Sequence, residues 1–556
     1  MQDLICIYFD MKTNWSMFYI NGSVRGFKSL DEFRSEIDGI AVEIGEKNRS
    51  GKNLKAVVFI NDLDVVKMIL PDGQASNSTK SKNGVRYTLE FETDNFQFRN
   101  FNIIFNNRTQ RIQKLYPDLP ICAGMAEFIK SLGLPLKHCR YSLAYVSKRI
   151  FYADIKSELW EDTKQNHRMI RDLQTWRDMQ AGNQGGALSS FSGASDIRFD
   201  ILYDIGSYDK KSAYPSYFIR DKYFPVGRIT RITGNASYRL RILRGLIGRR
   251  KWFKIVINCA EKIDALSLFR TASKKDCFEY GVEFWDYYTM KDCGIDLIPI
   301  LTAPGVTFRL YATEKTGYMP DCFRRKIIEL YDKKNALPKN SAERFMIKTQ
   351  LDMIYGKGLQ KYDFKCNRDV IRKYTLRGEN FLTPAMSMHV VSGVRHEVLK
   401  ISARFAGDCI AIDTDGVKID MYTAGEDTVT EFFDAVNDFI LDENCAAGFY
   451  SDIGFWDHEY TAERFMQFAP KVYAYQEPDE SPVCKFAGIS ERHLLKYLQQ
   501  LDGDPFEIWH RYGINAKTCN GWHYLPDVGF LENVIDYAIE RNDENEKDSN
   551  SIQKSV

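Results

Sequence analysis

The stretch Ile410-Ala411-Ile412-Asp413-Thr414-Asp415-Gly416-Val417-Lys418-Ile419 constrains the fold more than any other part of the chain. Apolar residues run up to a short polar tip and away from it, a pattern that predicts strand, turn and strand over residues 409–419. Asp and Gly are common in such turns for backbone reasons alone. Two carboxylates two residues apart also repel each other unless a cation sits between or beside them. The fold must therefore hold this tip either as a plain turn or as part of a metal site.

Two further stretches carry groups of related chemistry. In Tyr208-Asp209-Lys210-Lys211-Ser212-Ala213-Tyr214-Pro215-Ser216, an aspartate follows a strand-like run over residues 201–205, and a Ser-x-Tyr-Pro-Ser turn leads into a helix. Read alone, it also fits a plain strand-to-helix connection capped by Ser212. In Lys348-Thr349-Gln350-Leu351-Asp352-Met353-Ile354-Tyr355-Gly356, helical spacing puts Arg344, Lys348, Asp352 and Tyr355 on one face. The cations suit a triphosphate and the ring suits a base; a solvated charged face is the alternative. Lys334 adds a third positive group on the preceding helix. The helical pattern covers residues 320–359, interrupted near Pro338, and another covers 384–405. Nucleotidyl transfer needs two divalent ions, one to activate the attacking hydroxyl and one to hold the triphosphate and leaving oxygen. Magnesium is bound by a few carboxylates completed by phosphates and water. Aspartates at strand ends, faced by cations on a rigid element, are what that reaction requires.

The order is aspartate turn, cationic helix, Asp-Thr-Asp hairpin. At residues 209–216, 348–356 and 413–416 the chain resembles the DxxSLYPS, KxxxNSxYG and DTDS motifs of family B DNA polymerases. Lys471-Val472-Tyr473 resembles the KxY motif of that family, and Lys485-Phe486-Ala487-Gly488-Ile489 its KxAG element. Gly185-Gly186 matches the end of a YxGG element. The compact size and the KxAG element are most like the protein-primed branch of phages and linear plasmids.

The resemblance implies a mixed α/β (α+β multidomain) chain: a right-hand polymerase with palm, fingers and thumb behind an N-terminal exonuclease-like, ribonuclease H-like domain. It implies an exonuclease-like domain over residues 1–180, palm over 181–317 with an insertion, and fingers over 318–360. The palm resumes over 361–484, the thumb spans 485–540, and a polar, disordered tail follows over 541–556. Template-directed addition of deoxynucleotides is the implied function. Asp209 and Asp415, with the Lys210 backbone carbonyl, would bind two Mg²⁺ ions (Mn²⁺ being the alternative), and Asp413 would support them. Lys348, Lys334 and Arg344 would bind the triphosphate. Tyr214 would lie under the sugar and exclude a 2′-hydroxyl, and Tyr355 would help shape the pocket for the nascent base pair. Lys471 and Tyr473 would hold the primer end, and Gly185 and Gly186 would follow the template. The implied partners are template–primer DNA, dNTPs and a priming (terminal) protein. A catalytically inactive DNA-binding relative and a primer-independent synthase are the rival readings.

The chain departs from the family pattern in places. Asp352 stands where the family has Asn, Met353 and Gly416 where it has Ser, Ala213 where it has Leu, and Asn183 where it has the Tyr of YxGG. None removes a metal ligand. The exonuclease motifs fare worse. Lys12 takes the place of the second acid after Asp10, and Asn61-Asp62-Leu63-Asp64 is a shortened second motif. A lysine there removes ligand charge and adds repulsion, so the expectation is an inactive exonuclease-like fold.

At 556 residues the chain needs several domains. No apolar run reaches the roughly 20 residues of a membrane helix, and no signal pattern opens the chain, so no membrane partner and a cytoplasmic location are expected, in the host cytoplasm if phage-encoded. The 12 cysteines are scattered singly, without zinc spacing, as expected of reduced thiols. A formal net charge of +1 leaves nucleic-acid binding open, because charge can be concentrated in one channel. One basic run, Arg239 to Lys254 with Trp252 and Phe253 inside it, could track a phosphate backbone or form a solvated face. The stretch 181–194, rich in Gly and Ser, reads as a linker.

Overall fold

The computed structural model describes residues 143–166, 173–181, 187–190, 201–274, 277–339, 341–359, 381–469 and 472–486, the strands of the N-terminal sheet, and isolated positions elsewhere. Two compact units emerge. The first comprises Met1–Val146, Asn335–Ile347 and Trp522–Pro526; the second comprises Ser147–Lys334, Lys348–Gly521 and Asp527–Val556.

The first unit is built on a mixed sheet. Leu4–Asp10 runs parallel to Lys55–Ile60, which runs parallel to Phe101–Phe105. Antiparallel strands extend the sheet on both sides, Ser16–Phe18 and Val24–Gly26 beyond one edge and Gly84–Glu92 beyond the other. Asp10 ends the first strand. Lys12, Asp62 and Asp64 lie outside the described residues.

The second unit is organised by a five-stranded sheet in the order Trp456–Ala462, Ile205–Lys210, Gly416–Asp420, Cys409–Thr414, Ala187–Ser190. The hairpin over residues 409–419 forms as expected, with Asp413 paired to Gly416 and Thr414 at φ 71° in the turn. Two expectations are corrected. The strand before Asp209 is Ile205–Lys210 rather than 201–205, so Asp209 lies inside a strand and not after one. Part of the supposed linker is also a strand: Ala187–Ser190 pairs along the hairpin arm that carries Asp413. Main-chain hydrogen bonds at a sheet edge make few demands on side chains, which is why a Gly- and Ser-rich run conceals such a strand.

Pro384–Arg404 and Glu426–Ala446 pack against this sheet. The expected pair over residues 320–359 appears as Asp321–Ala336 and Ala342–Gly358, broken around Pro338. Pro384–Arg404 begins at Thr383, whose hydroxyl accepts from the Met386 amide, with Pro384 in the first turn where its missing N–H costs nothing. It is buried along most of its length. Gly393 lets the Ala213–Arg220 helix come close: a Cβ at 393 would run into the ring of Tyr217. The Tyr217 hydroxyl donates to the Gly393 carbonyl (2.6 Å) and to Glu397 (2.8 Å). Glu397 also takes the Lys210 ammonium, the Arg220 guanidinium (2.7 Å) and the Trp456 indole N–H (3.0 Å). Burial opposes its charge, but Lys210 and Arg220 hold its carboxyl well below the usual carboxylate range.

A second five-stranded sheet occupies residues 229–313, in the order Ile229–Ile232, Thr307–Thr313, Phe253–Cys259, Cys277–Glu283, Arg270–Lys274. It splits the basic run. Arg241 and Arg244 sit exposed on the helix Ala236–Gly248, and Arg249, Arg250 and Lys251 are exposed after it. Trp252, Phe253 and Lys254 are buried, with the Trp252 indole donating to Glu283. The aromatic pair therefore serves the core and not a nucleic-acid surface. Among the described residues no disulfide forms, and no helix is long and apolar enough to cross a membrane.

Candidate active site

Strand alternation sorts the residues of Ile205–Lys210. Tyr208 and Lys210 face the helices, Tyr208 stacking on Phe433 at 4.0 Å and Lys210 reaching Glu397. Ser207 and Asp209 face the other way. In register beside them are Lys418 and Gly416 of the hairpin, paired with Ser207 and Asp209. The Lys210 amide donates to the Asp415 carbonyl (3.1 Å), which fastens the hairpin tip to the strand. On the other side, pairing with Trp456–Ala462 slips between Ser207 and Tyr208. Glu459 falls at that irregularity and accepts from the Ser207 hydroxyl (3.2 Å).

These elements enclose a cavity of about 470 Å³. Asp209, Asp413, Asp415 and Glu459 line it, with Lys418, Tyr473 and Lys485. Residues of the aspartate strand, the Asp-Thr-Asp hairpin, the KxY element and the KxAG element thus meet at one place. The Asp209 carboxyl is pushed up to about 8, first by burial and then by the Asp415 and Glu459 carboxylates. Lys418 opposes this in part: its ammonium donates to Ser207 (3.0 Å) and lies 5.0 Å from the ring centre of Tyr473. Burial lowers the Lys418 pKa, against the pull of Asp413, Glu459 and Asp209.

Five acids, Glu477 included, line the cavity with two lysines, Lys418 and Lys485, a cluster with excess negative charge. A divalent ion is the natural relief for it. Among the described residues no three acid, His or Cys side chains are arranged to hold an ion by themselves. Magnesium is commonly held by one or two carboxylates and completed by substrate phosphates and water. The donor set of Asp209 and Asp415 suits it.

The helix Ala213–Arg220 starts at Ser212, which has φ 48° and makes no capping bond with its side chain. Ser212 therefore holds the cap position, its carbonyl accepting from the Ser216 amide (3.0 Å), without a capping bond from its side chain. Its hydroxyl instead accepts from Lys334 (3.1 Å), which brings that lysine to the turn after Asp209. Tyr214, 8% exposed, stacks on Tyr355 with ring centres 4.0 Å apart and planes 14° off parallel. Burial raises both phenols, that of Tyr355 to about 12, and both feel the Asp415 carboxylate. Lys348 and Asp352 are exposed on the helix Ala342–Gly358. Arg344 is engaged with the turn before that helix: its guanidinium donates to the Leu337 carbonyl (3.0 Å). Lys471, Gly185 and Gly186 lie outside the described residues.

Lys418 and Glu459 are the site residues that sequence reasoning missed. Lys418 had a signal, since it stands two residues from Gly416 in a strand and so shares its face. Glu459 had none, because its place depends on a register slip against a strand some 250 residues away.

No protein-family model matches the chain, and no curated protein sequence matches it. Solved structures do. Phi29 DNA polymerase complexed with single-stranded DNA superposes at a TM-score of 0.54 with 12% identity, covering 89% of this chain and 94% of that one. The ternary complex of Phi29 DNA polymerase with primer–template DNA and incoming nucleotide substrates gives 0.51 at 12% identity over the same shares. Its orthorhombic crystal form gives 0.55 at 12% identity, over 88% of this chain and 93% of that one. The chain therefore has the mixed α/β, multidomain fold of Phi29 DNA polymerase, and its resemblance to family B, carried in sequence by a few motifs, extends to the fold of nearly the whole chain.

Proposed function

We propose that the chain is a template-directed DNA polymerase. It adds deoxynucleotides to a 3′ hydroxyl, or to the hydroxyl of a priming protein, by two-metal nucleotidyl transfer. The observation that supports this most is the convergence of motifs from Asp209 to Lys485 on one acid-lined cavity. The fold likeness to a polymerase solved with primer–template DNA and nucleotides adds to it.

In this reading Asp209 and Asp415 hold two Mg²⁺ ions, with the Lys210 carbonyl as a further ligand and Asp413 in support. Bound there, magnesium supplies charge neutralisation for the triphosphate and acidifies the attacking hydroxyl. The protein's own groups do the positioning. Lys348, Lys334 and Arg344 draw the triphosphate, and Lys334 is already beside the turn that follows Asp209. The Tyr214–Tyr355 stack gives a flat, buried floor for sugar and base. Lys471 and Tyr473 hold the primer terminus, and Gly185 and Gly186 pass the template. Residues 181–317 and 361–484 act as palm, 318–360 as fingers and 485–540 as thumb. The domain over 1–180 lacks exonuclease activity because Lys12 replaces an acid. The setting is phage or plasmid replication in a host cytoplasm.

Primer extension on a labelled primer–template with Mg²⁺ tests this. Template-matched growth in the wild type, abolished in Asp415→Asn, is expected, with no primer shortening in either. Failure of growth with every metal and primer, including a protein primer, overturns the polymerase reading. Shortening that disappears in Asp10→Ala overturns the inactive exonuclease.

A further inference from the structure

A second cavity, of about 680 Å³, shares no lining residue with the first. It lies where Ala213–Arg220, Pro384–Arg404 and Glu426–Ala446 meet the insertion that carries Arg250 and Trp285. Its volume is in the range that encloses a small organic ligand.

Its chemistry is cationic and aromatic. Lys222, Arg250, Lys400 and Arg404 line it, all exposed, and among the described residues none of the four has an ion-pair partner. Arg220 lines it with a side chain only 5% exposed. One terminal nitrogen of that guanidinium is bound to Glu397; the other, Nη1, is buried and has no hydrogen-bond partner. A buried guanidinium N–H without an acceptor is costly, and the same guanidinium side chain lines the cavity. Of the three acids that line it, Asp221 is committed to His389 (2.7 Å) and Glu397 to Lys210 and Arg220, while Glu443, its side chain 43% exposed, pairs with Arg220 at 3.7 Å. The apolar part of the wall includes the rings of Trp285, Phe432 and Phe439. Trp285 stacks on His396 at 5.4 Å, and Phe439 is 61% exposed.

We propose that this cavity is a second nucleotide site, which binds a nucleoside phosphate with its base against Trp285 and Phe439 and its phosphates among Arg220, Arg250, Lys400 and Arg404. Several cations select a polyanion, and aromatic rings beside them select a flat π-system attached to it. The site does not depend on polymerase activity, and its occupant need not be a substrate for chain growth.

Calorimetric titration with ATP in EDTA tests the assignment, because chelation withholds the ions that the acid-lined site needs. Saturable binding to the wild type is expected. It should weaken by at least about tenfold in Lys400→Glu/Arg404→Glu and stay unchanged in Asp415→Asn. The double variant should extend primers within about twofold of the wild type if the polymerase reading holds; its binding defect is measured independently of that reading. Inorganic tripolyphosphate should bind at least about tenfold more weakly than ATP. No binding to the wild type, equal binding to the double variant, or loss of binding in Asp415→Asn overturns the proposal. Tripolyphosphate binding as tightly as ATP overturns the nucleoside part of it.

Discussion

A Cβ added to Gly416 would stand 3.1 Å from Oδ1 of Asp209. It would also stand 3.2 Å from the Tyr208 carbonyl oxygen. The position that carries Ser in the family motif is thus crowded here by the carboxylate of the neighbouring strand. Gly416→Ser should displace Asp209 by a few tenths of an ångström or more. Such a shift at the proposed metal ligand is expected to cost between about tenfold and a hundredfold in kcat for primer extension, with the circular dichroism spectrum unchanged. Wild-type kcat in Gly416→Ser would mean that Asp209 has room to move without loss.

Lys418 is the internal counter-charge of the acid cluster. Lys418→Met should leave Asp209, Asp413 and Glu459 dependent on an added cation. The melting temperature without metal should fall. The rise produced by adding MgCl₂ should exceed that of the wild type by at least about 2 °C. An identical response to MgCl₂ in the two proteins would show that Lys418 does not balance the cluster.

Tyr214 is expected to set sugar selectivity. Its ring is held by Tyr355 and buried, so it cannot swing aside for a 2′-hydroxyl. Tyr214→Ala should raise kcat/KM for ribonucleotides relative to deoxynucleotides by at least about tenfold. Equal losses for both sugars would assign Tyr214 to packing alone.

His389 should make stability depend on pH in the alkaline range. It is fully buried between Asp221 (2.7 Å) and Glu283 (2.8 Å). Burial works against its charge, but the Glu283 and Asp221 carboxylates win and push its pKa up to about 10. A histidine raised above its unfolded value of about 6.5 stabilises the fold fully below that pH. The contribution is lost as pH rises towards 10. The wild-type urea midpoint should therefore fall between pH 7 and 10. His389→Gln should flatten this slope and cost about 3–5 kcal/mol at pH 7, since it leaves two buried carboxylates without their cation. A midpoint that falls as steeply in His389→Gln as in the wild type would place the titration elsewhere.

The Asp-Thr-Asp hairpin, the two helices broken at Pro338 and the helix from Pro384 were legible in the chain because periodicity, turn residues and caps act within a few residues of each other. The same locality set the limits. The strand carrying Asp209 was displaced by a few residues in the sequence reading, since Gly206 and Ser207 carry no strand propensity and are held only by their two neighbours in the sheet. Ala187–Ser190 was taken for linker for the same reason. Trp252 and Phe253 lie in a basic run that reads equally as a phosphate-tracking stretch or a solvated face, and the sheet over 229–313 buries both.

What the sequence determined by itself was the inventory and its order: which acids, cations and rings are present, and on which local element each one rides. Only the tertiary structure decided that Asp209, Asp415, Tyr473 and Lys485 share a cavity, that Lys418 and Glu459 join them, and that five cations gather in a second cavity with the half-buried Trp285 and the exposed Phe439. The physical reason is that charge interactions and cavities depend on distance in space, and strand register between segments hundreds of residues apart sets that distance.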